Sequence, residues 1–126
     1  MGAKLQHILL VDDDAAVVAV LSQALKELDY RVTSFTSSRE ALHAFTEDPS
    51  QFDLLITDQM MPDLTGLQLA QAVMDVRAEL PILVISGYVE TRIVIEIREK
   101  RMHAFLAKPH GVDELRTAVE ALLGKR

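Results

Sequence analysis

Asp12, Asp13 and Asp14 stand directly after the nearly unbroken apolar run His7-Ile8-Leu9-Leu10-Val11, and Asp58 closes a second run, Asp53-Leu54-Leu55-Ile56-Thr57. Ser86 closes a third, Pro81-Ile82-Leu83-Val84-Ile85, and Lys108 a shorter fourth, Ala104-Phe105-Leu106-Ala107. Carboxylates converging in one pocket repel one another unless a cation lies between them. A donor set of oxygens without His or Cys suits a hard ion, and Mg²⁺ takes only a few carboxylates while keeping several waters. Lys108 would add positive charge on the other side of Asp58, and Ser86 a hydroxyl donor. An aspartate flanked by Mg²⁺, an ammonium and a hydroxyl has what phosphoryl transfer requires: a carboxylate nucleophile, and cations that neutralise the equatorial oxygens.

These residues can meet only if the runs that precede them lie side by side. Between the runs, Val17, Leu21, Ala24, Leu25 and Leu28 recur at helical spacing. Arg31 to Phe35 is a short β-branched stretch, and Ser37 to Glu40 reads as a capping box opening a second helix. Met61-Pro62-Asp63-Leu64 is turn chemistry, and Thr65 to Gln68 is another capping box, opening a helix to about Arg77. A last helix runs from about Val112 to Leu123. Strand and helix thus alternate five times, and continuous rather than alternating hydrophobicity says the strands are covered on both faces, as in a parallel sheet. Right-handed crossovers give a doubly wound α/β sandwich, which binds ligands beyond the carboxyl ends of its strands.

The chain has 126 residues, 49% hydrophobic and 25% charged, which is the composition of one globular domain spanning 1–126 with its core at about 7–123. Thirteen basic against nineteen acidic residues leave a net charge of −6. That balance argues against direct nucleic-acid binding, which needs a basic footprint. The absence of cysteine excludes disulfides, thiolate metal sites and cysteine nucleophiles, and with no apolar run near ~18 residues and no signal peptide it suits a cytoplasmic protein without membrane attachment. Met1-Gly2 is not read as a myristoylation site, because Gln6 stands where Ser or Thr is needed.

The motifs Val11-Asp12-Asp13-Asp14, Thr57-Asp58-Gln59-Met60-Met61-Pro62-Asp63-Leu64-Thr65-Gly66, Ile85-Ser86-Gly87 and Phe105-Leu106-Ala107-Lys108-Pro109, in that order, resemble the receiver domain of two-component response regulators over residues 7–123. The resemblance implies a flavodoxin-like, five-stranded parallel sheet of order 2-1-3-4-5 with five helices. It implies that Asp58 is the phosphoacceptor, taking a phosphoryl group from a phosphohistidine on a sensor or hybrid histidine kinase or a phosphotransfer protein. Asp13 matches the direct Mg²⁺ ligand, Asp12 its partner acting largely through water, and Met60 the residue offering a backbone carbonyl to the metal. Ser86 matches the hydroxyl that moves to the phosphoryl group, Lys108 the lysine paired with Asp58 or its phosphate, and Phe105 the switch aromatic. The Lys108–Pro109 bond is expected to be cis. Met60 and Tyr88 match positions bordering the path of the hydrolytic water. An apolar Met60 and a bulky Tyr88 would there slow loss of the acyl phosphate, although simple surface packing serves Tyr88 equally well.

Other residues have plainer readings. Asp14 is the N-cap of the first helix rather than a third ligand, and Met61 fills core. His7, His43, His103 and His110 lack metal-ligand spacing. Residues 92–101, Arg92-Ile93-Val94-Ile95-Glu96-Ile97-Arg98-Glu99-Lys100-Arg101, must form the fourth helix although their β-branched run favours strand. Ile93 and Ile97 share one face and Ile95 lies on roughly the opposite one, so an exposed Ile95 or Val94 is expected on a docking surface made with the fifth strand and last helix. Arg101 stands where many receivers end this helix with glycine, and His110 replaces the residue common after Lys-Pro.

A phosphatase of haloacid-dehalogenase type would also use an aspartyl nucleophile, but it wants an acid two residues later, where Met60 stands. A receiver-shaped interaction module without phosphorylation is the other alternative. The reading is of a switch rather than an enzyme, one that promotes its own phosphorylation and dephosphorylation. Any output at this length would come from docking onto an effector protein or a second copy. Ser86-Gly87-Tyr88-Val89-Glu90 also looks like receivers attached to hybrid histidine kinases.

Overall fold

The computed structural model describes residues 5–86 and 111–124 in full and the backbone of 104–107. The Lys108–Pro109 bond, His103, His110 and the segment 92–101, with its expected exposed Ile95 or Val94, lie outside the described residues. In chain order the elements are β1 (His7–Val11), α1 (Ala15–Glu27), β2 (Arg31–Phe35), α2 (Ser38–Glu47), a short 3₁₀ turn (Pro49–Gln51), β3 (Leu54–Asp58), α3 (Gly66–Val76), β4 (Ile82–Ser86), β5 (Ala104–Ala107) and a C-terminal helix (Val112–Leu123). The strands form one parallel sheet of order β2-β1-β3-β4-β5, the doubly wound arrangement expected.

Every residue of β1, β3 and β4 is buried, which is why those runs show no alternation. Alternate side chains instead feed two separate cores. Leu9, Val11, Leu55, Ile82 and Val84 face Phe45 of α2 and Leu69 and Val73 of α3. Ile8, Leu10, Leu54, Ile56, Leu83 and Ile85 face Leu21 and Leu25 of α1 and Leu115 and Val119 of the C-terminal helix. Strand β2 is one of the two edge strands, and its mixed Arg31-Val32-Thr33-Ser34-Phe35 composition fits a half-exposed position. His7 is buried at the start of β1. Its Nδ1 lies 3.1 Å from the Gln51 carbonyl and so donates to it, and its Nε2 lies 2.7 Å from the Thr33 hydroxyl.

The helix ends explain where the chain turns. Asp14 caps α1, accepting from the amides of Ala16 and Val17. Ser37 caps α2 by accepting from Glu40 N at 3.2 Å. Thr65 and Gln68 complete both halves of the box that opens α3. At the end of α1, Tyr30 N donates to Leu25 O and Asp29 N to Lys26 O, a glycine-type ending that places Asp29 at φ 70°. Asp29 bears a left-handed backbone that glycine adopts without a Cβ penalty. Asp29→Gly should therefore raise stability in urea unfolding by about 0.5 kcal/mol, and a midpoint at or below wild type would contradict this.

Candidate functional site

The parallel register brings the chemistry-bearing residues to one edge. Val11 pairs with Thr57, so Asp12 and Asp58 emerge side by side from β1 and β3. Asp58 pairs with Ile85, which puts Ser86 one residue further along β4, and Ser86 pairs with Ala107. The carboxylates of Asp12, Asp13 and Asp58 converge, each offering an oxygen within 4.8 Å of the others. Asp12 and Asp58 are buried, at 2% and 7% exposure, and Asp13 opens to solvent. Burial restricts hydration of two charged groups while the third marks the entrance.

Asp12 is held from its own loop, its Oδ1 accepting from Asp14 N at 2.9 Å. The Asp14 carboxylate, by contrast, is turned onto the start of α1, so the cap reading holds for it. Ser86 is fully buried at the end of β4. Met61 is buried in the core with α3, while Met60 is 63% exposed. Lys108 and Tyr88 lie outside the described residues, and of Phe105 only the strand backbone is described.

The loop behind Asp58 contains residues that the sequence alone does not mark. Gln59 is buried despite its polarity, and it bonds three ways. Its amide donates to Ile85 O at 3.0 Å, its carbonyl accepts from Gly66 N at 3.0 Å, and its side-chain Oε1 accepts from Leu67 N at 2.8 Å. The last bond occupies an otherwise orphan amide in the first turn of α3. Gly66 packs directly against the backbone of Asp58: a Cβ there would stand 2.3 Å from Asp58 O. Thr57 Oγ1 also donates to Asp58 O, at 2.9 Å. Beyond its place in the motif ending Thr65-Gly66, a physical signal for Gly66 is its placement inside a helix start, where almost any other residue is the better helix former.

Three carboxylates from two strand ends make an all-oxygen donor set that fits Mg²⁺ and offers nothing to a softer metal. Three carboxylates fall short of an octahedral shell, so Mg²⁺ held here would take its remaining ligands from water and other oxygens.

The chain matches the family model described as response regulator receiver domain over residues 8–120. It is 30% identical over 119 residues to the response regulator receiver protein CpdR of Brucella abortus, covering 94% of this chain and 98% of that one. It is 29% identical over 120 residues to the two-component response regulator ARR12 of Arabidopsis thaliana, covering 95% of this chain but 20% of that one. The chain thus spans about a fifth of the length of the plant relatives it matches. Among solved structures, the response regulator protein TrrA of Thermotoga maritima, in complex with Mg²⁺ and BeF, superposes with a TM-score of 0.85 at 27% identity, covering 94% of this chain and 100% of that one.

Proposed function

Since the chain belongs to the response regulator receiver family of two-component signalling, we propose that it is a phosphorylation-driven switch with Asp58 as the phosphoacceptor. The observation that carries this reading is the convergence of Asp12, Asp13 and Asp58 within 4.8 Å at the carboxyl edge of the sheet. Asp13 and Asp58, with Asp12 acting through water and the Met60 carbonyl, would hold Mg²⁺. When bound, the ion neutralises charge on the phosphoryl oxygens.

In the transfer, an Asp58 carboxylate oxygen forms a bond to phosphorus as the phosphorus–nitrogen bond of a phosphohistidine breaks, and the electron pair returns to the imidazole. Lys108 pairs with the carboxylate or its phosphate. Ser86 supplies the hydroxyl for the new phosphoryl oxygen, with Phe105 following it. Phosphorylation then shifts the population toward the state with these groups turned inward, and that state presents a different surface at residues 92–101, β5 and the C-terminal helix. Met60 and Tyr88 shield the acyl phosphate from water.

The partners in this reading are a histidine kinase or phosphotransfer protein as donor, and an effector protein or second copy as target. The chain makes no direct contact with nucleic acid and works in the cytoplasm. No helix among the described residues is long and apolar enough to cross a membrane. It is a switch rather than an enzyme, since no external substrate is turned over.

Incubating the protein with acetyl phosphate and Mg²⁺ and measuring intact mass tests the proposal. The expected result is a gain of one phosphoryl group that EDTA prevents. No gain with Mg²⁺ present, or steady hydrolysis of acetyl phosphate without a phosphorylated protein, would overturn it.

A further inference from the structure

The loop between β3 and α3 is anchored at its two ends by bonds that do not involve α2. Gln59 N donates to Ile85 O, and Gly66 N and Leu67 N donate to the carbonyl and side chain of Gln59. The middle of the loop is held differently. Ser38, at the first position of α2 and only 2% exposed, donates from Oγ to Pro62 O at 3.2 Å and accepts from Leu64 N at 3.1 Å. One buried hydroxyl thus satisfies a donor and an acceptor across the turn where Asp63 takes a left-handed backbone, φ 68°. The neighbouring Arg39–Asp63 pair, 3.6 Å apart with side chains 69% and 53% exposed, is too solvated to substitute for it.

We propose that Ser38 is a positioning residue for the cation site, its hydroxyl setting from α2 the path of the loop that carries the Met60 carbonyl. The inference rests on the functional reading above, in which that carbonyl faces the ion. Met61 is anchored in the core and Pro62 is tied to Ser38, so the peptide leaving Met60 has a fixed continuation. Without the hydroxyl, Pro62 O and Leu64 N turn to water. Residues 60–64 then gain freedom while Asp58 and α3 keep their bonds to β4 and Gln59. The effect therefore falls on cation affinity rather than on the nucleophile.

The test is Mg²⁺ affinity of the full chain by calorimetry for wild type, Ser38→Ala, Ser38→Cys and Val119→Ala. Val119 is buried in the opposite core, so its truncation lowers stability without touching the loop. Loss of an outer partner of a metal ligand costs an affinity factor of about tenfold or more. Ser38→Ala is expected to weaken Mg²⁺ binding about tenfold, with phosphoryl uptake from acetyl phosphate restored at saturating Mg²⁺. Ser38→Cys, a weaker donor and acceptor of similar shape, should fall between Ser38→Ala and wild type. Val119→Ala should match wild type well below its melting temperature. Unchanged affinity in Ser38→Ala, or equal weakening in Val119→Ala, overturns the proposal; if Ser38→Ala does not fold, Ser38→Cys is read in its place. A wild-type chain that binds no Mg²⁺ fails the functional reading itself and this inference with it.

Discussion

Asp58→Asn should end phosphoryl uptake from acetyl phosphate, with intact mass unchanged under conditions that fully modify wild type. An amide of almost the same shape keeps the packing of a 7% exposed side chain but lacks the anionic oxygen that attacks phosphorus. It also replaces one of the three carboxylates clustered within 4.8 Å, so the affinity for Mg²⁺ should fall at the same time. The two effects separate by thermal denaturation. Mg²⁺ at a hundred times its Kd stabilises a folded state by about 2.7 kcal/mol, so the melting temperature of wild type should rise on adding the ion and that of Asp58→Asn should rise less. The amide variant is expected to melt as one cooperative unit, because the backbone anchors of residue 58, Thr57 Oγ1 and the β4 ladder, are untouched. Phosphorylation of Asp58→Asn at wild-type extent would move the acceptor to another residue and defeat the assignment. Followed over time, the same mass measurement reads the shielding role, with Met60→Asn expected to lose its phosphate faster than wild type.

The features legible in the sequence were those that depend on neighbours along the chain. Unbroken runs such as Ile8-Leu9-Leu10-Val11 had to be central strands, and all four residues are buried to 1% exposure or less. Asp14 and Thr65 announced themselves as caps because their partners are two or three residues away. The acidic cluster was legible through one further rule, that parallel strands end together, which turns two separate strand ends into one edge. What stayed hidden depends on contacts between distant segments. Ser38 is 24 residues from Pro62 and 26 from Leu64; the Ser37–Glu40 spacing marks Ser37 as the cap, but nothing local says that the Ser38 hydroxyl reaches the loop. Gln59 looks like a surface residue, and it is buried because the first turn of α3 needs an acceptor. The segment 92–101, where local propensity and fold disagree, lies outside the described residues.

Gly66→Ala should be the most damaging glycine-to-alanine change among the described residues. An ideal Cβ at residue 66 would lie 2.3 Å from Asp58 O, 2.9 Å from Gln59 Cα and 3.0 Å from Asp58 C. All three are backbone atoms, so no side chain can swing aside; either α3 or the end of β3 must move. Movement of β3 is opposed by the ladder to β4, and movement of α3 by Leu67, Leu69 and Val73, which are packed in the core. Overpacking of this kind costs about 1–3 kcal/mol and sometimes more, against a gain of at most about 1 kcal/mol from replacing glycine by alanine in a helix. Because the clash falls on the carbonyl of Asp58, the proposed phosphoacceptor, protein that does fold should also bind Mg²⁺ and accept phosphate poorly. Gly111→Ala is the control: at the cap of the C-terminal helix a Cβ meets nothing nearer than Glu114 Oε1 at 3.8 Å, an ordinary contact. Urea unfolding should therefore separate the two variants, with Gly66→Ala destabilised by about 2 kcal/mol or more and Gly111→Ala within roughly 1 kcal/mol of wild type. Wild-type stability together with wild-type Mg²⁺ binding in Gly66→Ala would mean that α3 does not press on Asp58 as the structure has it.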